Sequence, residues 1–241
     1  MVPVGRRAGD SVTAAIAAYR PPMHEPRDLI DAMRRVNTAA RIAELDGKDF
    51  TSEIEQLEAL AERLDALAVD DIRIQASLWH DDLAERMAEN LTAGPKGRIN
   101  RALEVGIAGF FPYSPYVGTL NPIAPPIDFA TVEVGDHAEV HATHTFEAIV
   151  NGPPGGVHGG VVAGVFDELL GCTCVVNDVS GFTGTLSIRY ASLTPLGVPI
   201  TMRGWVDRVE GRKTFATGTF HHGETLCATA EGIFIGPRTA A

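Results

Sequence analysis

The spacing of hydrophobic residues changes part-way along the chain. Leu29, Met33, Val36 and Ala40 recur at helical spacing, as do Ile54, Leu57, Leu60, Ala61, Leu64 and Leu67, and then Leu78, Trp79, Leu83, Met87 and Leu91. Three amphipathic helices are predicted. Prolines 21, 22 and 26 precede the first, Gly47 interrupts after it, Ser52-Glu53-Ile54-Glu55 reads as a capping box for the second, and Gly94-Pro95 closes the third. From Ile107 to Pro126 five prolines forbid a regular helix or central strand, so an extended connector over the core is expected. Beyond it the period becomes two. His137 to Val150 alternates, with Ala138, Val140, Ala142, His144 and Phe146 on one side. Val157 to Val176 is a near-continuous apolar run that reads as a buried helix. Thr183 to Leu193, Pro199 to Val209, Arg212 to His221 and Thr225 to Ile235 read as strands, the last three joined by hairpin-sized links at Glu210-Gly211 and His222-Gly223-Glu224. The pattern predicts an α+β body over residues 106–241, one long central helix wrapped by a curved antiparallel sheet, preceded by a helical region over residues 1–105.

Charge sharpens this division. Residues 1–100 carry 13 basic and 18 acidic side chains, and residues 101–241 carry 7 and 13. The first part reads as exposed helices that pack on a neighbouring domain or a second subunit, the second as a drier, strand-rich body. The net charge of −11 argues against nucleic acid and anionic lipid as general partners. The apolar run of 20 residues is long enough to span a bilayer, but Asp167 and Glu168 at its middle would each cost about 2.5–3.5 kcal/mol. No membrane span is expected, and the N-terminus has no apolar run long enough for a signal peptide. Cys172, Cys174 and Cys227 read as small buried hydrophobes in a reducing, cytoplasmic setting.

The candidate chemistry lies in His158-Gly159-Gly160 and the helix that follows. First-turn amides of a helix are unsatisfied and sit at the positive end of its dipole, so they can bind a developing oxyanion. Asp167 falls within the apolar run, where dry surroundings would raise the pKa of a carboxylate and make it a stronger base once ionised. Gly159 and Asp167 are eight positions apart, about 12 Å along a helix, whereas one carbonyl needs both partners within roughly 3 Å. If both act in one reaction, two chains must contribute across a two-fold interface. A dimer with shared sites is expected.

GPPGGVHGGVVAGVFDELLG, followed by Thr183-Gly-Thr-Leu-Ser-Ile-Arg-Tyr190, resembles the hotdog-fold acyl-CoA thioesterases of the phenylacetyl-CoA-thioesterase-like branch. The resemblance covers roughly residues 110–236. It implies a hotdog fold and hydrolysis of acyl-CoA to a carboxylic acid and free CoA. It assigns Asp167 as base or nucleophile, the Gly159 amide as oxyanion donor, Thr183 as the residue orienting water, and His158 as the shaper of the oxyanion loop. Asn151, Gly160 and Thr185 are the further substrate contacts it suggests. Glu168 points about 100° away around the helix, so only one of the acidic pair should face the site, and the resemblance selects Asp167. A homodimer or homotetramer is implied, with acyl-CoA as substrate and no separate cofactor.

The charge map adds CoA-phosphate candidates. Five of the seven basic residues after position 100 lie between 189 and 213, and Arg189, Arg212 and Lys213 are the best placed to draw CoA phosphates. Other motifs carry less. The glycine loop lacks the Lys-Ser/Thr of a phosphate-binding P-loop. His80-Asp81-Asp82 reads as a solvated helix face, and His141 and His144 fall on opposite faces of one strand, so no metal is implied. The rival from another class is a non-hydrolytic acyl-CoA or lipid-binding hotdog module. A hotdog hydratase or dehydratase fits less well, because His158 lies too early in the helix.

Overall fold

The structure, a computed structural model, describes residues 25–68, 106–179 and 181–236. The third predicted amphipathic pattern and His80-Asp81-Asp82 lie outside those residues. Six strands form one antiparallel sheet: β1 (Ala130–Val134), β2 (His137–Thr145), β3 (Phe182–Tyr190), β4 (Pro199–Glu210), β5 (Lys213–His222) and β6 (Thr225–Ile235), in the order β1-β2-β4-β5-β6-β3. Among the described residues three longer helices accompany it, α1 (Pro26–Ile42), α2 (Thr51–Asp65) and α3 (Gly159–Val176). The expected architecture is present. The predicted strand over His137 to Val150 ends at Thr145, where the pairing with β4 stops at Pro199, and a 3-10 turn takes Ala148–Val150. β1 was not legible as a strand: it is short and follows the proline-rich connector, although Gly135-Asp136 makes its hairpin turn with Gly135 at φ 65°.

α3 lies against one face of the sheet. Val162, Val165, Phe166, Leu169 and Leu170 are buried, and the Phe166 ring stacks on Phe220 of β5 at 4.0 Å. Gly204 and Gly218 on neighbouring strands make room for it: a Cβ at 204 would come within 2.6 Å of the Thr173 hydroxyl, and one at 218 within 3.1 Å of Leu170. By length and composition α3 passes as a membrane span, yet 56% of it is buried inside the protein. All three cysteines are free and buried, and burial pushes the Cys174 thiol up to about 12.

Both ends of α3 are fixed locally. His158 caps the start, its Nδ1 accepting the Gly160 N–H at 3.0 Å. At the other end Val179 N donates to Cys174 O and Asp178 N to Val175 O, a Schellman closure with Asp178 at φ 56° where glycine is usual. Asn177 ties that end to β2, donating to Ala138 O at 2.7 Å and accepting from Ala138 N at 2.9 Å.

The N-terminal helices sit outside this core and contribute no buried residue. α1 rests on the 3-10 turn and on the connector, where the Arg34 guanidinium donates to the carbonyls of Gly118, Thr119 and Asn121 at 3.2, 2.7 and 3.1 Å. α2 starts two residues earlier than the predicted capping box allows: Phe50 is its N-cap and Asp49 Oδ1 accepts both the N–H and the hydroxyl of Thr51, so Ser52 lies inside the helix. Its stripe stays open to solvent, with Ile54, Leu57 and Leu67 more than half exposed.

Candidate active site

The loop before α3 uses its own polar groups to hold its shape. The Asn151 amide donates to Pro153 O and Gly156 O at 2.8 and 3.1 Å, and His158 N donates to Val150 O at 2.9 Å. Asn151 therefore supports the turn that presents the helix start. Gly159 is the first helical residue. Its carbonyl accepts the Tyr190 hydroxyl at 2.8 Å, while among the described residues its N–H meets no acceptor. An amide at that place, on the dipole's positive end, is a ready hydrogen-bond donor to an anion. The Gly160 N–H is already engaged by His158.

Asp167 stands two turns further along. Thr183 Oγ1 donates to its Oδ1 at 2.8 Å, and both residues line a cavity of about 370 Å³ with Phe111, Cys172, Phe182 and Phe234. The pair is brought together by a β-bulge. Thr183 pairs with Phe234 and Thr185 with the adjacent Ile233, so Gly184 is the extra residue on β3. Without it Thr183 and Thr185 would share a face; with it Thr183 meets α3, and Thr185 lies beside Asp207, Arg208 and Glu231 in a separate cavity of about 230 Å³. The acidic neighbours divide differently from the expectation of a carboxylate in dry surroundings. Glu168 is the buried one, at 9% exposure, and Asp167 is exposed. The chain by itself does not cover Asp167.

Hydrophobic burial on α3, the sheet order and the helix-tip loop together describe a known architecture. A crystal structure of a thioesterase superfamily protein is similar to this chain, with a TM-score of 0.69 and 28% identity, covering 90% of this chain and 97% of that one. The fold is that of the hotdog thioesterases. No family model matches the chain. Among curated proteins it is similar to acyl-coenzyme A thioesterase THEM4 of Mus musculus, 33% identical over 88 residues, which is 36% of this chain and 38% of that protein. It is likewise similar to acyl-coenzyme A thioesterase THEM5 of Homo sapiens, 31% identical over 88 residues, 36% of each. The chain thus matches little more than a third of the length of these curated relatives.

Within the hotdog body the cationic candidates do not form one patch. Lys213 pairs with Ile235, and Ile235 with Phe182, which places Arg212 and Lys213 at the start of β3. Arg189 lies seven residues away at the other end, about 23 Å along a strand. Arg212 is occupied with its own backbone, donating to Gly236 O from Nε and Nη2 at 3.0 and 2.8 Å. Two larger concavities contain neither Asp167 nor Gly159: one of about 600 Å³ on the sheet face around His141, Arg203 and His221, and one of about 470 Å³ between α1 and the connector. The smaller cavity is the candidate site because it alone of these holds the paired carboxylate and hydroxyl.

Sequence reasoning gave no role to Tyr116 or Tyr190. The Tyr116 hydroxyl is wedged against α3 at Gly164, one turn before Asp167. Burial, with the charges of Glu168 and Asp167, raises its pKa, so it stays a donor. Tyr190 had a visible signal: it continues the Leu186, Ile188 row of β3 that packs toward α3, but with a hydroxyl.

Proposed function

We propose that this chain hydrolyses acyl-CoA thioesters, with each site built from two copies. The observation that carries the reading is the Thr183–Asp167 hydrogen bond at the wall of the 370 Å³ cavity. The Gly159 N–H at the helix tip, without an acceptor among the described residues, supplies the second half, but it is eight residues from Asp167 on one continuous helix, about 12 Å away. One chain's pair cannot bracket one carbonyl. The exposed edge strand β3, with Phe182 84% exposed beside Asp167, supports pairing of two copies there, which would bring the partner's helix tip to the acid and exclude water.

In this arrangement the thioester carbonyl oxygen accepts the Gly159 N–H of one copy. Asp167 of the other takes a proton from water as the water oxygen bonds to the carbonyl carbon. The tetrahedral intermediate collapses with cleavage of the C–S bond, and the proton held by Asp167 passes to the departing sulfur, giving the acid and free CoA. Thr183 keeps the carboxylate oriented. Attack by Asp167 itself, through an anhydride that water then opens, uses the same residues. Arg189, Arg212 and Lys213 serve as separate contacts for CoA phosphates rather than as one rim, and no further cofactor is required.

The test is thiol release from short, long and aryl acyl-CoAs by the wild-type protein and by Asp167→Asn. Turnover that falls about 10²–10⁴-fold in the variant supports the reading. Equal turnover in the two proteins, or tight binding of every ester with no thiol released by either, overturns it; the latter result makes the chain a binding module.

A further inference from the structure

The start of α3 is two consecutive glycines, Gly159 and Gly160, the residues that lose most freedom on ordering and the first to fray at a helix end. An oxyanion donor carried on such a pair is useful only if it is held still. The peptide joining the two glycines is bonded at both ends. Its carbonyl, that of Gly159, accepts the Tyr190 hydroxyl at 2.8 Å, and its N–H, that of Gly160, donates to His158 Nδ1 at 3.0 Å. The preceding peptide is held by its carbonyl: His158 O accepts from Val161 N at 2.9 Å and Val162 N at 3.1 Å, while the Gly159 N–H meets no acceptor among the described residues. Gly159 is thus the hinge between a peptide clamped twice and the peptide that bears the donor.

We propose that Tyr190 is a positioning residue for the oxyanion site, its hydroxyl locking the Gly159–Gly160 peptide so that the Gly159 N–H keeps a fixed direction. The inference rests on the thioesterase reading above. Three further features agree with it. The Tyr190 ring lies 3.5–3.7 Å from where a Gly159 side chain would begin, so the phenol packs on the helix start as well as bonding it. The Gly160 N–H bond requires His158 Nδ1 to be unprotonated, which leaves the ring proton of the neutral imidazole on Nε2. Tyr190 also ends β3, whose Thr183 holds Asp167 at the other end, so one strand grips α3 at the donor and at the acid. A change that loosens β3 therefore loosens both halves of the chemistry.

Tyr190→Phe keeps the ring and removes only the hydroxyl. Two measurements on the full chain decide the matter. The first, amide hydrogen exchange of Gly159 and Gly160 by NMR without substrate, should show faster exchange at Gly160 by several-fold while the melting temperature stays the same. The second, acyl-CoA hydrolysis, should show kcat lower by roughly tenfold, less than the 10²–10³ of deleting an oxyanion donor, with KM within twofold. Unchanged exchange with unchanged kcat overturns the proposal. So does a kcat loss matched by a fall in melting temperature, or a change confined to KM. A wild-type chain that releases no thiol sinks the thioesterase reading and the catalytic role together, and the exchange data then still report whether the clamp itself exists.

Discussion

Gly159 holds the first position of α3, where an amide makes no intrahelical bond and proline is well tolerated. His158 before it has φ −60° and ψ 131°, the extended conformation that a following proline favours. A Cβ at 159 would meet the Tyr190 hydroxyl at 3.5 Å, an ordinary contact. Gly159→Pro therefore deletes one N–H and little else. Its kcat for acyl-CoA should fall by about 10²–10³-fold while the thermal melt stays within a few degrees of wild type. Glu139 gives a residue-scale prediction of another kind. It is 3% exposed on β2 and accepts Arg203 Nε and Nη2 at 2.6 and 2.5 Å and His141 Nε2 at 2.7 Å. The bonds from Arg203, opposed by burial and helped by His141, bring its pKa from 4.5 to about 2. A depressed carboxylate stabilises the fold fully above its unfolded value and loses that contribution as pH falls through the folded one. Urea melts should therefore lose stability between about pH 4.5 and pH 2, and Glu139→Gln should flatten that slope. Arg203→Ala strands a buried acceptor and should cost on the order of 2 kcal/mol at neutral pH.

Among the elements, α3 is the one on which packing and chemistry compete for the same surface. Its buried side carries the aliphatic and aromatic residues, and its open side carries Gly160, Gly164, Asp167 and Gly171. Tyr116 of the connector fills the space over Gly164, where a Cβ would lie 1.8 Å from the phenol oxygen. Gly164→Ala should destabilise by about 1–3 kcal/mol through this overlap. In the Gly164→Ala/Tyr116→Ala double variant the clash is gone, so the two penalties should be clearly less than additive in chemical melts. Strictly additive losses would mean that the two residues do not meet. The connector is in turn held by Arg34 of α1, which gives the N-terminal helices a structural link to the wall beside Asp167.

For the whole molecule the decisive prediction concerns how many chains make one site. If Gly159 and Asp167 act from opposite copies, Asp167→Asn and Gly159→Pro each spoil both sites of their own homodimer. A mixed dimer restores one site, with an intact glycine from one copy and an intact acid from the other. After exchange of subunits in an equal mixture, half the dimers are mixed, and activity should return to about a quarter of wild type. A mixture that stays as inactive as its parts would place the two groups in one chain's site or in none. Sedimentation of the separate proteins checks that both variants still associate.

The sequence by itself determined the periods. Alternating apolar residues in β2, β4, β5 and β6 and the unbroken apolar run of α3 dictate a helix packed on an antiparallel sheet, because each pattern can bury its face in only one way. The His-Gly-Gly start and the eight-residue spacing to Asp167 were equally local and equally readable. What the tertiary structure decided depends on register and on which side of an element meets a neighbour. The bulge at Gly184 sends Thr183 to Asp167 and Thr185 away, a shift of one residue that no spacing rule for a regular strand reveals. The exposure of Asp167 beside a buried Glu168, the separation of Arg189 from Lys213, and the Tyr190 bond to Gly159 likewise arise from contacts between segments distant in the chain. Local pattern fixes which face is apolar; only the packed fold fixes which polar groups are left at its rim.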